Sequence, residues 1–134
     1  MANQDQAQQC MAKLQAMVSQ ARQRYRRHTG DPDGGNAYLQ KFEDLAGALD
    51  ALNLAALSAA IGTLQGGLDQ ITDATKRLSN ALDQIAAAES EFAEFTRIVN
   101  AGANLIGALQ SGDLQAIKDA LDKIRTDFAA PAGG

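Results

Sequence analysis

The densest group of ionisable side chains is Arg22-Gln23-Arg24-Tyr25-Arg26-Arg27-His28. Guanidinium groups beside an aromatic ring can grip phosphate, an acidic protein surface or an anionic lipid face, with Tyr25 available for stacking. The same cluster has a simpler use. It ends a helical stretch, where cations stabilise the negative end of the helix dipole. Its residues also wrap round the helix instead of forming one face. Helix termination is therefore the first expectation, with Arg22, Arg24, Arg26 and Arg27 the candidate cations for a bound partner.

Nucleophilic and metal chemistry have little to work with. His28 is the single histidine and Cys10 the single cysteine. A hydrolytic triad needs a nucleophile, a base and an orienting group, and Ser19, Thr29 and Asp31 near His28 form no known motif. One His and one Cys are too few for an ordinary zinc site. Cys10 lies close to the apolar stripe of the first helix, which suits a small buried hydrophobe. Only Lys13 lies one turn away to lower its pKa. No metal and no cofactor is expected.

Acidic residues fare no better. Asp31-Pro32-Asp33-Gly34 opens like a calcium loop, but the twelfth position from Asp31 is Phe42 and the sixth is Asn36. Such a loop needs Glu and Gly there, so a turn is the better account. Asp69 with Asp73, and Glu91 with Glu94, stand at helical spacing on solvated faces. Diiron sites use Glu-x-x-His on two helices, and the chain has no such motif. No Walker loop or G-x-G-x-x-G phosphate loop occurs. The expectation is a protein without catalytic activity.

These side chains must be positioned by helices. Of the 134 residues, 46% are hydrophobic but only 4% aromatic, and Ala and Leu dominate, which favours helix over sheet. Apolar residues recur at alternating three- and four-residue spacings. Met11, Leu14, Val18, Ala21 and Tyr25 form one row. Leu54, Leu57, Ile61, Leu64, Leu68, Ile71, Thr75, Leu78, Leu82 and Ile85 form a second, which continues less cleanly to Val99. Leu114, Ile117, Leu121, Ile124 and Phe128 form a third. A 3.5-residue period is the signature of coiled-coil-like packing. Leu68-Asp69-Gln70-Ile71, Leu82-Asp83-Gln84-Ile85 and Leu121-Asp122-Lys123-Ile124 repeat one form within it.

Gly30 to Gly35 marks a turn, with Asn36 a candidate N-cap, and Ser111-Gly112-Asp113 marks another boundary. Asn100, Gly102 and Gly107 weaken the stretch between them. Gly66-Gly67 leaves two architectures open. A turn there gives helices near 2–29, 37–65, 68–100 and 113–128 in a helical bundle of about four helices, the preferred all-α fold. A helix running through the pair, from 37 to 100, would be an elongated coiled-coil hairpin roughly 96 Å long at about 1.5 Å per residue. Residues 1–128 are expected to form one domain, and residues 129–134, with Pro131 and a terminal Gly-Gly, a disordered tail.

The formal net charge of −4 argues against nucleic acid as the main partner. A single thiol gives no disulfide framework. The polar N-terminus has no signal-peptide pattern, and no run of about 20 apolar residues occurs. A cytoplasmic protein is expected, and export without a cleaved signal is compatible with the same residues. Two uncharged, small-residue-rich stretches stand out, 51–68 and 98–109. Small residues let helix backbones approach closely in water or in lipid.

Three functions follow as expectations. The first is a non-catalytic module that binds another protein, with self-association included. Its candidate contacts are the Arg22–Arg27 cluster and the stripe residues Leu78, Leu82 and Ile85. The second is a membrane-active protein inserting 51–68 and 98–109, where Asn53, Ser58, Thr63, Gln65, Asn100 and Asn104 would each be costly in hydrocarbon. The third is anion or nucleic-acid binding through the arginines.

Overall fold

In the computed structural model, residues 2–27, 34–85 and 91–128 are described. They form six helices and no strand: α1 (Ala2–Arg26), α2 (Gly34–Ala51), α3 (Leu54–Thr63), α4 (Gly67–Asp83), α5 (Glu91–Ser111) and α6 (Leu114–Asp127). The all-α class is as expected. About four helices were expected, and the described residues hold six.

The expected helix over 37–65 divides at Leu52-Asn53. Asn53 is extended, at φ −102° and ψ 159°, and its side chain accepts a hydrogen bond from Ala56 N at 2.7 Å. That is an N-cap, which satisfies a backbone donor that a continuing helix would bond itself. The helix axis turns by 80° between Ala37–Ala51 and Leu54–Thr63. The turn lets Leu52 and Leu57 both enter the core. From Ala48 to Ala60 every residue but Asp50, Asn53 and Ser58 is Ala or Leu, so no change of spacing marks the cap.

The pair Gly66-Gly67 is a turn, which overturns the continuous helix from 37 to 100. Gly66 has φ +65°, a left-handed conformation that L side chains rarely adopt. Gly67 is needed for a second reason. A Cβ there would lie 2.9 Å from the carbonyl oxygen of Ile61. The expected helix over 68–100 also divides, into α4 and α5. The stretch expected to be weak after Asn100 is instead helical to Ser111. Its inner side explains this: Ile98, Val99, Leu105, Ile106 and Leu109 are all buried there. The expected tail over 129–134 lies outside the described residues.

Helix α2 packs most extensively on α5, and α1 lies across α3 and α4. Helix α6 covers α5 and α4 from the other side. Core residues come from all six helices, among them Leu14, Leu45, Leu57, Leu78, Phe95 and Leu121. Five of the six aromatic rings gather in one region. Tyr25 stacks on Phe42 with centroids 5.6 Å apart. Tyr38 stacks on Phe95 at 5.0 Å and meets Phe92 edge-on at 5.1 Å.

Candidate protein interface

The arginine cluster is placed at the end of α1, and its members have different surroundings. Arg22 is exposed, with its guanidinium 5.5 Å from the centroid of the Phe42 ring. Arg24 is half-buried and turned inward. It meets Glu91 at 3.3 Å and donates to the carbonyl oxygen of Asp83, also at 3.3 Å. Arg24 therefore ties α1 to both sides of the junction between α4 and α5. Gln20, one turn earlier, donates to Asp83 at 2.8 Å and accepts a hydrogen bond from Ser79. Arg26 and Arg27 are exposed. His28 lies outside the described residues. Arg24 and Arg27 line one surface pocket with Gln20, Gln23 and Asp83, whereas Arg22 lies against Phe42, so the four arginines do not all face one site.

The stripe residues are brought together, but inside. Leu78, Leu82 and Ile85 are buried, as are Leu57, Ile61, Ile71 and Thr75 of the same row. The Thr75 hydroxyl donates to the carbonyl of Ile71 at 2.8 Å, which satisfies it within its own helix. Reaching Leu78, Leu82 or Ile85 from outside would require opening the fold. The turn at Gly66 is the cause, because it folds the row back on its neighbours.

Cys10 is fully buried, and its thiol is pushed up to about 11 by loss of solvation, only partly opposed by nearby Lys13. A thiol held protonated at neutral pH is a poor nucleophile. Among the described residues no group of three His, Cys, Asp or Glu side chains could hold a metal ion.

The uncharged stretches separate. Residues 51–68 are divided by the Asn53 cap and the Gly66 turn. Among the described residues no single helix is long and apolar enough to cross a membrane. The bent pair Ala37–Ala51 and Leu54–Thr63 meets that test only when its two arms are joined. Residues 98–109 lie wholly in α5, which is two-sided. Its inner side is core. Its outer side exposes Asn100, Asn104, Gly107 and Ser111 at spacings of four, three and four, one continuous strip.

This strip adjoins a groove of about 420 Å³ between α5 and α6. Ala101, Asn104 and Ala108 line it from α5; Ala116, Ala120 and Ile124 line it from α6, with Asp119 and Lys123 at its edge. The two helices are joined by one tight turn. Gly112 has φ +74°, and Asp113 caps α6 by accepting from Gln115 N and Ala116 N. Half of the lining residues are alanines, two from each helix, so a third helix could approach both backbones closely along them.

Two glycines of α5 show the difference between its sides. A Cβ on Gly102 would meet Leu45 Cδ1 at 3.1 Å and Met17 Cε at 3.3 Å, so the interior wants a small residue there. A Cβ on Gly107 would meet nothing within 4 Å. A glycine inside a helix costs about 1 kcal/mol relative to Ala, and no neighbour of Gly107 requires it. Gly47 of α2 is similarly open, but Glu43, Asp44 and Asp50 surround it with exposed charge. From Ile98 to Gly112 there is none. The uncharged run over 98–109 was the available sequence signal for this surface. Periodicity alone assigns it to internal packing, which is true of one side only.

Compared with known proteins, the chain matches no family, no curated protein and no solved structure.

Proposed function

We propose that the chain is a non-catalytic helical bundle that binds another protein, and that the outer face of α5 with the α5–α6 groove is its docking surface. The observation that carries this is the charge-free strip beside an alanine-lined groove. Exposed helix faces are ordinarily charged, and the outward face of α2 in this molecule is so. An amphipathic helix laid into such a groove would bury its apolar side chains against alanines. Heptad-spaced rows supply the internal packing, so the interaction needs no unfolding. The buried, protonated Cys10 and the dispersal of the arginines also favour binding over chemistry.

The test uses Asn104→Arg, an exposed change at the groove wall, beside Gln15→Arg on the exposed side of α1. Immobilised wild-type protein is exposed to extract of its source cells, and retained proteins, copies of the chain included, are identified by mass. Retention lost with Asn104→Arg and kept with Gln15→Arg, both variants helical by circular dichroism, is the expected result. No retained protein, or retention indifferent to Asn104→Arg, would sink the proposal.

A further inference from the structure

We infer that the occupant of this surface is a second copy of the same chain, paired antiparallel about a two-fold axis through the α6 face; this rests on the docking surface proposed above. The face is self-complementary. In a two-fold interface, if residue i meets residue j then j meets i, so one patch must hold both halves of each contact. Asp119 and Lys123 stand at the groove edge, both exposed and four residues apart. An antiparallel register centred on Leu121 sets each copy's Asp119 opposite the other's Lys123, so two ion pairs form at once. Gln115 already donates to Asp119 at 2.9 Å, which holds the carboxylate on that side of the helix. Lys123 makes no ion pair among the described residues. A register centred one half-step away would set Lys118 against Lys123 and Asp119 against Asp122, so the charges also select against slippage.

The steric pattern agrees. Ala116 and Ala120 of α6 and Ala101 and Ala108 of α5 permit close approach, and the uncharged strip through Asn104 and Gly107 leaves no buried charge without a partner. The uncharged part of α5, 98–111, has 14 residues, as does α6, so the face is about 21 Å long. Two helices wide, it offers roughly 400 Å² per copy, about half of the roughly 800 Å² typical of a stable complex. The dimer is therefore a weak one, populated only as concentration rises.

Analytical ultracentrifugation of the purified chain from about 1 to 500 μM tests this, with three variants. Wild type is expected to pass from monomer to dimer across that range. Asp119→Lys sets like charges across the axis and weakens association at least tenfold. Asp119→Lys with Lys123→Asp exchanges the charges in both copies and restores it. Gly107→Leu blocks close approach and weakens association while the fold persists by circular dichroism. A wild-type chain monomeric throughout would overturn the second copy as occupant. Dimerisation indifferent to Asp119→Lys and to Gly107→Leu would overturn the assigned face. If wild type is monomeric yet Asn104→Arg still abolishes capture of a different protein, the docking surface stands and only its occupant is wrong. If wild type is monomeric and Asn104→Arg changes nothing, both fall.

Discussion

Helix α5 has two sides built for different neighbours. Its inner side carries Phe95, Ile98, Val99, Leu105, Ile106 and Leu109, all buried, and closes on α2 and the rest of the core. Its outer side carries Asn100, Asn104, Gly107 and Ser111, all exposed and none charged. Both sides include a glycine, and the surroundings give the two glycines opposite meanings. Gly102 is small because Leu45 and Met17 already fill the space; Gly107 is small with empty space beside it. One helix can thus be core and candidate interface together, and its two sides can be told apart by what each residue touches.

The largest expected effect comes from the inner side. Phe95→Ala removes a fully buried ring that stacks on Tyr38, and should cost about 3–5 kcal/mol in urea unfolding. A cost below about 1 kcal/mol would mean that the aromatic region is not a packed core. Gly102→Leu is next. Overpacking against Leu45 and Met17 should destabilise by about 1–3 kcal/mol, read from the same denaturant curves. The smallest effect carries the opposite sign. Gly107→Ala should stabilise the isolated monomer by about 0.5–1 kcal/mol, because helix propensity rises and nothing obstructs the new methyl. Thermal melts at low micromolar concentration measure it. Destabilisation by Gly107→Ala would erase the distinction between the two sides.

The thiol gives a separate check on the core. Burial raises the pKa of Cys10 to about 11 from 9.0. The unfolded thiol ionises first as pH rises, so this group's contribution to stability is fully present below about pH 9 and is lost between about 9 and 11. Urea unfolding of wild type and Cys10→Ala across that window should show the wild-type chain losing stability with pH more steeply. Parallel curves would show that the thiol is not buried as described.

The sequence made the helical class plain, because the 3.5-residue spacing and the Ala- and Leu-rich composition act through local geometry. The boundary at Asp113 was also legible from its capping chemistry, whereas Gly66-Gly67 could be read as a turn or, because the apolar row runs through it, as part of a continuous helix. The cap at Asn53 was not legible, because nearly every neighbour from Ala48 to Ala60 is Ala or Leu, which masks the two-residue step from Leu52 to Leu54. The rows pointed to Leu78, Leu82 and Ile85 as contacts, yet a stripe looks the same whether its partner lies in the same chain or another. The turn at Gly66 decides that, and it buries them. The arginine cluster reads as one feature in the sequence but is dispersed by helix rotation, with Arg24 turned in to Asp83 and Glu91. The outer face of α5 was visible only as missing charge. Which half of an uncharged helix faces solvent depends on packing with α2 and α6, which no local pattern records.

The most direct test of the docking surface is site-specific photocrosslinking in the source cells. A benzophenone side chain replaces Asn104 on the outer face of α5 in one protein and Gln15 on α1 in another. The account predicts a discrete protein adduct from position 104 and none from position 15, whatever the partner's identity. Adducts of equal yield at both positions, or none at position 104, would contradict it.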